Sequence, residues 1–415
     1  MSDLLVVNIG MLATPEGVRA RSGGEQGTVR VLENAWVRIE GGIIAAVGTG
    51  TPPSAPGADI VDAAGRLVTP GLVDAHTHLI FGGWRQNELA LKLRGMPYLD
   101  ILAQGGGILS TVTATRNASQ EELADKARSA LDEMLAFGTT TCEAKSGYGL
   151  CLAEELKQLR AIRDLNKSHP IDLVPTFMGA HALPEEYKAD REAYIRLICE
   201  EMIPAVAAEK LASFCDVFCE TGVFTPEESR RILNAGKAYG LAPKIHADEI
   251  DPIGGSRVAG EVKAVSAEHL IVCPPEGIAA MAKSGTVACL LPATSLYLGA
   301  AFAPAREMVS AGVPVAMATD FNPGSCPCLN MQLVMNLGCL RYRLTPEEVL
   351  TAVTLNGAAA IGMADTVGSV ETGKLGDLVI WEAKDLNYVC YRMGSNLVGA
   401  VIKRGRPYTK TTWAD

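Results

Sequence analysis

Short apolar runs recur along the middle of the chain, each followed by a stretch of helical period. The runs are 71–76, 138–145, 171–180, 213–220, 242–247, 264–270, 286–293 and 314–320. Residues 119–137 show what lies between them. Ser119 can cap a helix, Leu123, Ala127, Ala130, Leu131, Met134 and Leu135 recur at helical spacing, and Gly138 can end it. The segment from Thr225, "TPEESRRILNAGKAYG", repeats the design. Strand–helix alternation repeated eight times predicts a (β/α)8 TIM barrel, an α/β fold. A doubly wound open sheet would want a glycine-rich phosphate loop after a strand, and no GxGxxG occurs.

The two ends of the chain carry a different pattern. "LLVVNIGML", "AWVRIEGGIIAAVG" and "ADIVDAAGRLVTP" are β-branched and glycine-punctuated, without a helical period. "KLGDLVIWE", "YVCYRMG" and "LVGAVIKRGRPY" look alike. One composite β-sandwich domain is therefore expected from residues 1–68 and 366–415, around a barrel of 69–365. The Gly-rich segment 16–28 reads as a mobile loop.

Composition narrows the function classes. The chain has 415 residues, 48% hydrophobic and 20% charged, as in a soluble globular enzyme. A formal charge of −10 argues against a nucleic-acid or anionic-membrane partner, and no apolar run is long enough to span a bilayer. A small anionic substrate remains compatible, since a pocket can carry its own arginine. The start lacks a basic signal-peptide region, and the eleven cysteines show no disulfide rhythm, so reduced thiols and a cytoplasmic setting are expected. Cys326-Pro327-Cys328 is read as structural.

The histidines change the picture. In "GLVDAHTHLIFGG", His76 and His78 share one face of a strand end. Such a pair can grip a metal or be merely a satisfied polar pair. Five of the six histidines, His76, His78, His181, His246 and His269, fall at or just past the ends of predicted strands, where barrel active sites lie. His169 is read as an ordinary loop residue. The clustering favours a metal. Three imidazoles and one carboxylate suit zinc, iron or a similar ion, with His76, His78, His246 and Asp320 as ligands and a position open for water. Glu249, His269 and Asp320 are the candidate proton carriers.

"VTPGLVDAHTH", "IHADE", the histidine of the sixth strand, "ATD" and "GSVETGKLGDLVIW" resemble the metal-dependent amidohydrolase superfamily over essentially the whole chain. "HTHLIFGGWRQNE", "AKSGYGL", "TFMGAHALPEEY" and "ATDFNPGSCPCLNM" are similar, more narrowly, to its imidazolonepropionase family. The resemblance implies hydrolysis of the cyclic amide of 4-imidazolone-5-propanoate to N-formimidoyl-L-glutamate, and a homodimer. It implies Arg85 as the anchor of the substrate carboxylate, a task that a guanidinium fork suits. Tyr148, His181, Glu249, Asn322, Gly324 and Ser325 become further substrate contacts, with His181 able to polarise the ring carbonyl. Binuclear superfamily members carry a bridging lysine on the fourth strand. Glu220 ends that strand here, so one metal ion is expected. A sibling deaminase shares the same histidine and aspartate set and is the competing activity; a metal-free binding protein on an inherited barrel is the competing class.

Overall fold

The computed structural model describes residues 3–96 and 106–409. Strands β1 (Leu4–Thr14), β2 (Arg30–Glu40), β3 (Ile43–Thr49), β4 (Asp59–Asp62) and β5 (Leu67–Pro70) come first. The eight runs then become β6 (Leu72–Asp74), β7 (Thr139–Lys145), β8 (Asp172–Ala180), β9 (Phe214–Cys219), β10 (Ala242–Ala247), β11 (Ser266–His269), β12 (Val287–Leu290) and β13 (Val315–Met317). The chain ends in β14 (Leu378–Trp381), β15 (Val398–Lys403) and β16 (Arg406–Thr409).

Strands β6 to β13 pair in sequence order, all parallel. The first and last are drawn together just past their ends. Asp320 N–H donates to His76 O at 3.0 Å and His78 N–H to Phe321 O at 2.9 Å. The Asp74 carboxylate adds bonds from Thr319 N–H (3.0 Å) and Thr319 Oγ1 (2.6 Å). The seam of this barrel thus lies beside the candidate ligands.

The helices start where the capping pattern predicts. Ser119, Thr225 and Thr345 each form a reciprocal capping box with a glutamate three residues on. The helix Gln120–Ala136 turns Leu123, Ala127, Leu131, Met134 and Leu135 inward.

The remaining strands form a second sheet from both ends of the chain, in the order β16-β15-β14-β5-β1-β2-β3. It forks at β1, whose first half also pairs with β4. The register shift between Val6 and Ile9, with Asn8 in the left-handed region (φ 53°), marks the fork. The ends expected to be β-rich contain these strands, apart from residues 1–2 and 410–415, which lie outside the described residues.

Two expectations need correction. "YVCYRMG" is not strand-like: Leu386–Tyr391 is a helix, capped by the Asp385 side chain accepting from Tyr388 N–H, with Leu386, Val389 and Cys390 buried at helical spacing. Residues 16–28 are pinned rather than loose. Gln26 is fully buried and its side-chain amide pairs with both the N–H and C=O of Val315. Arg21 exchanges two backbone bonds with the Asn356 side chain. Glycine content signalled a turn there, not its tethering.

Candidate metal centre

All the candidate ligands converge at the carboxyl ends of the barrel strands. His76 Nε2 lies 3.3 Å from Asp320 Oδ1, His78 Nε2 3.6 Å from the same oxygen, and His246 Nε2 3.3 Å from His78 Nε2. One atom each from His76, His78 and Asp320 falls within 4.8 Å of the others, and so does one each from His76, His246 and His269. All five residues are buried. The backbone is bent to bring them there: His269 (φ 67°), Leu270 (φ 58°) and Asp320 (φ 57°) occupy the left-handed region, where a side chain is strained.

The ring nitrogens are not equivalent. His76 Nδ1 faces Glu268 Oε2 at 2.8 Å, and His246 Nδ1 faces Asp216 Oδ1 at 3.1 Å. A carboxylate accepts, so each ring carries its proton on Nδ1 and turns a bare Nε2 inward. Burial, aided by the Lys145 charge, lowers the His76 pKa well below the ordinary histidine value, so the ring stays neutral. Within the cluster, His76 Nε2, His78 Nδ1, His269 Nδ1 and Asp320 Oδ1 are buried without a hydrogen-bond partner. Asp320 Oδ2 is satisfied by Thr294 Oγ1 at 2.7 Å. Burial raises the Asp320 pKa to about 6 against that hydrogen bond. An unpartnered buried nitrogen and carboxylate oxygen are costly by themselves, and a cation between His76 Nε2 and Asp320 Oδ1, which lie 3.3 Å apart, would satisfy both. The donor set therefore fits a metal ion.

Around the centre, the other sequence candidates arrange as follows. Glu249 Oε2 lies 3.5 Å from His269 Nε2. Burial, and then the charges of Asp320 and Glu220, push its pKa up to about 8. His181 stacks on His78 with ring centres 4.8 Å apart, and Tyr148 lies 5.2 Å from His181 and 5.9 Å from His78. His181 Nδ1 donates to Gly147 O at 3.0 Å, and burial, then His246, lower its pKa to about 3. The neutral ring consequently offers a lone pair at Nε2, placed to accept a hydrogen bond. Asn322 Oδ1 gathers the N–H groups of Gly324 and Ser325 at 2.8 and 2.7 Å. Gly324 admits Arg85, since a Cβ there would collide with its guanidinium. The Nε and Nη2 atoms of Arg85 form a fork on Glu88 at 3.0 and 2.9 Å. His169 lies apart, between Asp132 and Ile171 N–H. Glu220 accepts from Thr221, Ile250 and Asp251 N–H and so holds the turn that carries Glu249.

Several residues around the site went unread in the sequence. Glu155 accepts from the N–H groups of Gly147, Gly149 and Leu150, and Gln158 accepts from Tyr148 N–H while donating to Ile80 O. One helix face thus satisfies four successive amides of the Tyr148 turn and ties it to the segment after His78. Beneath the histidines, Lys145 lies 2.8 Å from both Glu143 and Asp216, and Lys244 lies 3.0 Å from Glu143 and 3.5 Å from Glu268. Burial would lower the Lys145 pKa, but Asp216, Glu143 and Glu268 outweigh it and raise it. The sequence signal for these charges was their spacing: Lys244 stands two residues before His246, and Glu268 one before His269, inside otherwise apolar strands.

Comparison with known proteins agrees with this architecture. The sequence model of the Amidohydrolase family matches residues 67–407. The chain is 52% identical over 412 residues to an imidazolonepropionase of Alkaliphilus metalliredigens, covering 98% of each protein. It is 50% identical over 416 residues to one of Bacillus cereus, covering 99% of this chain and 98% of that one. Among solved structures, a zinc-bound adenosine deaminase from Xanthomonas campestris superposes with a TM-score of 0.73 at 22% identity, covering 99% of this chain and 94% of that one. Guanine deaminase from E. coli gives 0.76 at 16% identity, covering 99% and 100%. Likeness at that identity speaks for the fold alone. No helix among the described residues is long and apolar enough to cross a membrane.

Proposed function

The chain belongs to the Amidohydrolase family, and from that premise we propose that it works as an imidazolonepropionase. It hydrolyses the cyclic amide of 4-imidazolone-5-propanoate to N-formimidoyl-L-glutamate. The observation that carries this reading is identity of about half the residues, end to end, with relatives of that name. The buried cluster of bare imidazole nitrogens and one carboxylate supports it.

His76, His78, His246 and Asp320 would hold one divalent ion, zinc before iron, because three imidazoles and a carboxylate match zinc's usual donors. Bound there, the ion would polarise the ring carbonyl and lower the pKa of a water towards ~7. The chain's own groups do the rest. Arg85, fixed by Glu88, binds the propanoate tail beside the Asn322–Ser325 turn. Tyr148 and His181 line the ring, and the His181 lone pair takes a ring N–H. Water adds to the carbonyl carbon. Glu249, largely buried with its carboxylate 3.5 Å from His269, removes the water's proton and delivers it to the ring nitrogen, with His269 and Asp320 beside it. The carbon–nitrogen bond then breaks, the ring opens, and the former carbonyl carbon becomes the new carboxylate while its acid proton passes to the basic formimidoyl nitrogen of the same product.

Freshly prepared imidazolone propanoate, incubated with zinc-loaded protein, should lose its ring absorbance without releasing ammonia. Ammonia release from a heterocyclic amine, with no ring opening of imidazolone propanoate, would make it a deaminase instead.

A further inference from the structure

Below the histidines an unbroken line of charged groups crosses the barrel interior. It starts at His246 Nδ1 and runs to Asp216 Oδ1 (3.1 Å), then from Asp216 Oδ2 to Lys145 Nζ (2.8 Å) and from Lys145 to Glu143 Oε1 (2.8 Å). From Glu143 Oε1 it passes to Lys244 Nζ (3.0 Å), from Lys244 to Glu268 Oε1 (3.5 Å), and from Glu268 Oε2 to His76 Nδ1 (2.8 Å). The side chains of the five linking residues are fully buried. Strands β7, β9, β10 and β11 each supply at least one of them.

Stability does not account for such a line. Buried ion pairs can often be replaced by packed apolar side chains at no loss, and each charge here bears a desolvation cost. What the line does provide is direction. Each carboxylate that meets a histidine has its other oxygen tied: Asp216 by Lys145, Glu268 by Lys244 and the Ser266 hydroxyl. Neither can rotate away from the imidazole N–H. Lys244 is itself held by the carbonyls of Ala75 and Ala360, and Glu143 receives the Thr176 hydroxyl. His78 and His269 have no such backing, since their Nδ1 atoms are buried without a partner. We infer that Asp216 and Glu268, linked through Lys145, Glu143 and Lys244, form one positioning chain that aims the Nε2 atoms of His246 and His76 at the metal. This rests on the metal-dependent reading above.

The probe is Co²⁺ added to metal-free protein, with affinity read by competition against a chelator and coordination read from the visible spectrum. Asp216→Asn and Glu268→Gln should each weaken Co²⁺ binding roughly 10- to 100-fold and alter the spectrum. Lys145→Met is the sharper arm, because Lys145 bonds to Asp216 and Glu143 rather than to a histidine. If it acted only as a fixed charge, its removal would tighten the hold on a dication. The positioning chain requires the opposite, weaker binding. Unchanged or tighter binding in Lys145→Met overturns the chain. If that variant does not fold, the two amide variants decide, and unaltered affinity in both overturns the inference. Asp377→Asn is the control for merely structural loss: it breaks a buried pair with Lys403 (2.6 Å) away from the histidines. It should lower the melting temperature and leave Co²⁺ affinity unchanged. Wild-type protein that fails to bind Co²⁺ in the same titration overturns the metal-dependent reading itself.

Discussion

The sheet built from both ends of the chain and the mouth of the barrel are both closed to water, but they are filled by opposite means. In the sheet, Leu4, Val6, Ile9, Val37, Leu378 and Ile402 make an apolar interior of the ordinary close-packed kind. At the mouth, His76, Glu268, Lys244, Glu143, Lys145 and Asp216 are just as inaccessible, and nearby imidazole and carboxylate atoms lack partners. Left-handed His269, Leu270 and Asp320 add backbone strain there. Left-handed residues occur in or beside the sheet as well, at Asn8, Asn34 and Ala64, so what sets the mouth apart is its buried charge and its partnerless imidazole and carboxylate atoms, as a site for a ligand would require.

The comparison breaks most plainly by cutting one side chain in each region. His76→Ala should lose metal binding and turnover together, falling to the uncatalysed background, as metal analysis and the ring-opening assay would read. Leu378→Ala, fully buried in the sheet, should cost ~2–5 kcal/mol of stability in denaturant unfolding while kcat of the folded protein stays near wild type. If His76→Ala kept its metal, or Leu378→Ala abolished turnover while still folded, the division of labour would be wrong.

A smaller effect is expected one layer out from the candidate ligands. Hydrogen bonds to a charged group contribute about 1.5–3 kcal/mol, so Arg85→Ala should raise KM roughly 10- to 100-fold with a smaller change in kcat. An imidazolone lacking the propanoate tail should be indifferent to the change. An unaltered KM for the full substrate would remove Arg85 from its anchoring role.

How far the sequence could be read follows the same division. The eight runs, the helix between Ser119 and Gly138 and the β-rich ends are local patterns, legible because strand and helix periods are set by neighbours in the chain. The convergence of His76, His78, His246, His269 and Asp320 was legible because each lies at a strand end, and barrel closure brings strand ends together. The lysines and carboxylates beneath them were not. Glu143 shares a strand face with Lys145, but that Asp216 also meets Lys145 depends on the register of β7 against β8 and of β8 against β9, which no single strand encodes. The His181 tautomer was hidden for the same reason, since it is set by the carbonyl of Gly147 on another strand's turn. The helix at Leu386 was missed because six residues are too short to display a period against a β-rich background.

The effect that probes the mouth without removing a ligand concerns pH. In metal-free protein the Glu249 carboxyl is pushed from an ordinary value of 4.5 to about 8, by burial first and then by Asp320 and Glu220. The unfolded chain releases that proton near the ordinary value, while the folded chain keeps it until the raised one. Between the two, the folded state binds more protons, so this group makes stability fall as pH rises through the window and adds no further slope above it. Glu249→Gln removes the penalty. The melting temperature of metal-free Glu249→Gln relative to wild type should therefore climb between about pH 5 and pH 9. A difference that stays flat, or runs the other way, would mean that the carboxyl is charged without cost and that the mouth is wetter than its burial implies.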